Sequence, residues 1–128
     1  MTNLPAELKY SKDHEWAKAD GKTAMIGITD YAQDQLGDVV YVEVPEVGKE
    51  FKAGEEFGVV ESVKSVSSLL SPVSGKVVEV NPELSNSPQL VNQDPYGKAW
   101  MIKVELSNPG ELDALLGAEA YQKEIESK

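Results

Sequence analysis

From Val47 to Val80 the chain runs as short β-segments cut by glycines at positions 48, 54, 58 and 75. Spacing of that kind suits a small barrel or sandwich with tight corners, since glycine lets a strand turn where a side chain would obstruct it. Two of the segments, "GKEFKAGEEFGVVE" and "GKVVEVNPELSNSPQL", each begin Gly-Lys and run into a strand. They hint at two pseudo-equivalent halves.

The flanking sequence fits a mainly β chain with helices at its periphery. "HEWAKADGKTAMIGIT" predicts two short strands around a turn at Asp20-Gly21. "TDYAQDQLG" predicts a two-turn helix, capped by Thr29 or Asp30, with Ala32 and Leu36 on one face and Gly37 as its stop. In "DVVYVEVP" strict alternation sets Val40, Val42 and Val44 on one face and Val39, Tyr41 and Glu43 on the other, until Pro45 ends the ladder. "KAWMIKVEL" alternates Trp100, Ile102, Val104 and Leu106 against Met101, Lys103 and Glu105, a core strand. Trp16 and Trp100 are expected as core anchors. Leu112, Leu115 and Leu116 predict a C-terminal helix over about 109–125 that frays toward Lys128. With 128 residues the expectation is a single domain over 1–128, its hairpin core at about 38–106.

Composition removes several classes of function. The absence of cysteine excludes disulfides, a thiolate nucleophile and a cysteine-based zinc site, and the single histidine, His14, leaves little for any metal centre. A net charge of −10 disfavours nucleic acid and anionic membrane and favours docking on basic protein surfaces. The start, "MTNLPAELKY", has neither an apolar export core nor an Arg-rich pattern, and no apolar run approaches membrane-spanning length. The expected location is the cytoplasm.

Within "GVVESVKSVSSLLSPVSG" the segments "FGVVES" and "LLSPVSG" predict a hairpin whose tip carries Ser62, Val63, Lys64 and Ser65. A tip lysine is ordinarily just solvated. Here Val63 and Val66 surround it, and β-branched apolar residues are poor choices for an exposed turn. Their presence points to a turn that another protein reads.

The blocks "KYSKDHEW", "IGITDYAQDQLGDVVYVEVPEVG", "FGVVESVKS", "SPVSGKVVEVN", "SPQLVN" and "WMIKVEL" together resemble the glycine cleavage H-protein family, in order, from about Leu8 to Tyr121. The resemblance implies a barrel-sandwich hybrid of the lipoyl/biotinyl-domain kind, with lipoic acid attached to Lys64 and a recognition turn of Glu61, Ser62, Val63, Ser65, Val66 and Gly75. It sets Gly75 at the symmetrical glycine position eleven residues after the lysine. The implied function is that of a carrier, not an enzyme, with no catalytic residue and no metal of its own. It would take the aminomethyl group of glycine from the pyridoxal-phosphate glycine decarboxylase (P protein) to the tetrahydrofolate-dependent aminomethyltransferase (T protein). Dihydrolipoamide dehydrogenase (L protein) would reoxidise it, and lipoate ligase or octanoyltransferase would load it. An alternative is a relay that donates its acyl group to other lipoyl domains.

A cationic transported group calls for a dry cleft with a carboxylate. The match to "HEW" makes Glu15 the first candidate, with His14 beside it and Asp34 as a further one. Many members of the family carry an acidic residue where this chain has Ser68, and some carry histidine where it has Gln35. Ser68 offers a hydrogen bond but no charge. A biotin carrier would have methionines around the lysine, and a 2-oxoacid dehydrogenase lipoyl domain would continue through a linker; neither pattern is present. A Schiff-base lysine would need a desolvated amine, which a hairpin tip does not provide.

Overall fold

The computed structural model describes Pro5 and residues 8–126. Among the described residues nine strands form two antiparallel sheets. Strands β1 (Lys9–Tyr10), β2 (Glu15–Asp20), β3 (Thr23–Ile28), β5 (Glu50–Phe51), β8 (Gly75–Val80) and β9 (Ile102–Leu106) make one, in the order β1-β2-β3-β9-β8-β5. The other sheet is β4 (Val39–Glu43), β6 (Glu56–Ser62) and β7 (Val66–Leu70), with β6 in the centre. Short helices α1 (Asp30–Leu36), α2 (Glu83–Asn86) and α3 (Leu90–Gln93) occupy the connections, and α4 (Ala118–Glu126) ends the described chain. The two Gly-Lys segments lie side by side: Gly48 N donates to Val77 O and Val77 N donates to Lys49 O, each at 2.8 Å.

The main core lies between the sheets, where Ile26, Val42, Val60, Leu69, Val77 and Ile102 pack together. A second cluster of Leu8, Tyr10, Trp16 and Tyr121 joins the larger sheet to α4. Trp16 fits there because its cross-strand partner is Gly27: a β-carbon on Gly27 would stand 2.8 Å from the indole. The indole N–H is satisfied by Pro95 O at 2.9 Å. Trp16 is thus the anchor expected, whereas Trp100 is only partly buried, its ring facing Lys103 Nζ at 5.4 Å.

Helix α1 follows its sequence signals: Thr29 Oγ1 accepts from Ala32 N at 3.1 Å, and Gly37 ends the helix with φ 80°. Elsewhere the structure corrects local expectations. The first hairpin turns at Gly21-Lys22, because Asp20 and Thr23 pair and Thr23 Oγ1 donates to Asp20 O. A bulge between Val39 and Tyr41 breaks the alternation of β4, so Val39 and Val42 are buried while Val40 and Tyr41 face outward. Met101 precedes β9 and is fully buried, outside the alternation assigned to it.

The continuous helix over 109–125 is not formed. Pro109–Ala114 is a 3-10 turn, and Leu116 then exchanges both backbone hydrogen bonds with Tyr10, each at 2.7 Å. That bridge holds residue 116 extended and delays α4 to Ala118. Fraying toward Lys128 concerns residues outside those described. The core also reaches beyond 38–106, since β1 to β3 supply half of the six-stranded sheet.

Candidate functional site

The tip between β6 and β7 is built by one serine. Ser62 N donates to Ser65 O at 2.8 Å, while Ser62 Oγ accepts from Lys64 N at 3.3 Å and Ser65 N at 3.1 Å. Val63 N donates to Asp38 O at 3.0 Å, which ties the tip to the start of β4. With its backbone so held, the turn exposes Lys64, Val63 and Val66; the two valines are 70% and 66% accessible. Glu61 lies half-buried at the base, paired with Val66. Among the described residues the Lys64 ammonium has no hydrogen bond or ion pair. Gly75 is elsewhere, opening β8 in the other sheet. Its glycine identity answers to packing, because a β-carbon would stand 2.5 Å from Glu105 O.

Beside the turn lies a cavity of about 310 Å³ between the entry to β2, helix α1 and strand β7. His14, Glu15, Tyr31, Gln35 and Ser68 line it. The helix also connects it to the lysine: Gln35 and Leu36 face the cavity, and a β-carbon on Gly37 would touch Lys64 Cε at 3.4 Å. Asp34 is exposed and outside the lining, so the fold does not bring it to the other candidates.

Glu15 is only 3% exposed. Its Oε1 accepts from Ser11 Oγ at 2.9 Å and its Oε2 accepts from Leu70 N at 3.3 Å. Burial pushes its pKa up to about 8, against the pull of those two hydrogen bonds. At neutral pH the residue is therefore mostly a carboxylic acid, not the standing carboxylate its sequence position suggests. His14 adopts φ 70°, its Nδ1 lies 2.7 Å from Tyr121 Oη, and its ring rests on Tyr31 at 4.9 Å.

Tyr31 and Tyr121 were not among the expected site residues. Tyr31 had a signal, since it and Gln35 are four apart on α1 and so share a face. Nothing local in the sequence singles out Tyr121. Among the described residues no cluster of three or more His, Asp or Glu could hold a metal ion, and no helix is long and apolar enough to cross a membrane.

A two-sheet β-body that lifts one free lysine on a fixed turn, beside a lined cavity, defines a carrier domain of the lipoyl/biotinyl class. The model of the family described as glycine cleavage H-protein matches residues 8–128. The glycine cleavage system H protein of Symbiobacterium thermophilum is 65% identical over 121 residues, covering 94% of each chain. That of Carboxydothermus hydrogenoformans is 62% identical over 128 residues, covering 100% of this chain and 98% of its own. The crystal structure of the H protein from Mycobacterium marinum matches with a TM-score of 0.88 at 40% identity, over 96% of this chain and 99% of that one. The chain belongs to the glycine cleavage H-protein family, the lipoyl carriers of the glycine cleavage system. It is a carrier subunit rather than an enzyme, and membership implies the P, T and L proteins as partners.

Proposed function

We propose that Lys64 is the residue that carries lipoic acid, in amide linkage, and that the adjoining cavity shelters the group being transported. The observation that carries this reading is the run from the exposed Lys64 side chain, which lies against Gly37 at the end of α1, to the cavity wall that Gln35 and Leu36 of the same helix supply. An unpartnered amine on a rigid tip suits acylation, and Ser62 offers it in one backbone pose. Val63 and Val66 give the loading enzyme, lipoate ligase or octanoyltransferase, apolar surface to grip on either side of the lysine.

Bound there, the lipoyl group supplies the dithiolane sulfur that takes up the aminomethyl group and later yields it. The chain's own residues then bind and protect. An ammonium entering the cavity would meet Glu15, and the opposing charge would lower the carboxyl pKa that burial had raised, so the carboxyl would release its proton to the solvent and face the cation as a carboxylate. Ser68 and Gln35 add uncharged hydrogen-bonding groups, and the apolar wall of Ile28, Val60 and Leu69 limits water. The reading sets the carrier in the cytoplasm, beside the enzymes it would serve.

Intact-mass analysis of protein from lipoate-supplied cells, with peptide mapping across Glu61 to Lys76, tests the attachment. One lipoyl or octanoyl adduct on Lys64 is expected. Lys64→Arg should melt as wild type and carry no adduct, since guanidinium does not form the amide. An adduct on another residue, or an acylated variant, overturns the assignment.

A further inference from the structure

Outside the lining of the cavity, a buried phenol from α4 reaches His14. Tyr121 is fully buried, and its ring stacks on Tyr10 with centroids 4.9 Å apart and planes 9° from parallel. Its Oη lies 2.7 Å from His14 Nδ1 and 2.8 Å from Thr29 Oγ1. Thr29 Oγ1 already accepts the Ala32 N–H that caps α1. Among the described residues His14 is the sole non-glycine with positive φ; its N donates to Ser11 O at 3.1 Å and its O accepts from Thr29 N at 3.0 Å. Backbone held in that sparsely populated region, with the ring pinned as well, marks a side chain whose pose matters.

Counting protons gives the hydrogen bonds their direction. Tyr121 has one proton for two short contacts, so it donates one and accepts the other. Were the imidazole proton on Nδ1, it would be donated to Oη and the phenol would donate to Thr29. The Thr29 hydroxyl, fully buried, would then have no acceptor among the described residues. In the opposite direction both hydroxyl protons are used: Thr29 O–H donates to Tyr121 Oη, and Tyr121 O–H donates to Nδ1. Burial raises the phenol further above its ordinary range, so it keeps the proton it donates.

We propose that Tyr121 is a positioning residue, which holds His14 in the tautomer protonated on Nε2 and fixes its ring at the cavity wall. The proposal rests on the reading of that cavity as a shelter, because a wall that alternates between tautomers would present donor and acceptor by turns to the same cargo.

His14 is the only histidine in the chain, so a long-range ¹H–¹⁵N spectrum of the unmodified, untagged protein reads its ring directly. Recorded at about pH 8, above the ordinary histidine range, it should show Nε2–H with bare Nδ1, and a tyrosine hydroxyl proton correlated with Nδ1 across the hydrogen bond. Tyr121→Phe keeps the ring stack and should move the imidazole toward a mixture of tautomers. A mixed or Nδ1–H wild type, absence of the hydroxyl correlation, or an unchanged pattern in the folded variant overturns the proposal. The wild-type spectrum decides even where the variant fails to fold.

On loaded protein, Tyr121→Phe should shorten the lifetime of the carried group by roughly fivefold, the worth of one net hydrogen bond. An unchanged lifetime in this variant, with a shortened one in Glu15→Ala, removes the positioning role. Unchanged lifetimes in both variants overturn the shelter reading and with it that role, while a tautomer seen by NMR would still stand.

Discussion

The folded Glu15 carboxyl holds its proton up to about pH 8, whereas the unfolded chain releases it near the ordinary value of 4.5. Between those values the unfolded state carries fewer protons, so this group makes stability fall as pH rises through the window. The loss amounts to roughly a few kcal/mol. Glu15→Gln should flatten the dependence of melting temperature on pH between about 5 and 8; a slope equal to that of wild type would place the titration elsewhere. The sequence placed Glu15 beside His14 but not the burial that changes its chemistry. Ser11 Oγ is four residues away, yet Leu70 N reaches Glu15 from another sheet.

At the level of elements, what was legible was local. The turn at Lys64 forms from four consecutive residues, and α1 from a cap and a stop within nine, so both could be read directly. The bulge in β4 exists only in register with β6, and the C-terminal helix is interrupted by hydrogen bonds to Tyr10. Periodicity carries no record of a partner distant in sequence. Gly75 follows the same logic: the family resemblance pointed to the modified turn, but its surroundings are the carbonyl of Glu105 and the side chain of Val104. Gly75→Ala should lower stability by about 1–3 kcal/mol through overpacking at β8 and β9. Denaturant midpoints would measure that loss, and acylation of the remaining folded protein should stay complete. Impaired acylation at full stability would return Gly75 to the recognition surface.

For the molecule as a whole, a net charge of −10 acts on encounter more than on fold. Association with the P protein should slow as ionic strength rises from about 20 to 200 mM, with dissociation little changed; stopped-flow rates insensitive to salt would rule out electrostatic steering. The same body must stay intact while successive enzymes handle its tip. The reciprocal bonds between Tyr10 and Leu116 fasten an early segment to a late one and, with Tyr121 stacked on Tyr10, fold the linear polypeptide into a clasped loop. A clasp resists being peeled from one side, so freeing β1 would also break contacts that hold the segment leading into α4. With the arm on Lys64 as proposed, handling at the lysine would act on a closed frame, and the arm could be drawn from partner to partner while its mount keeps its shape.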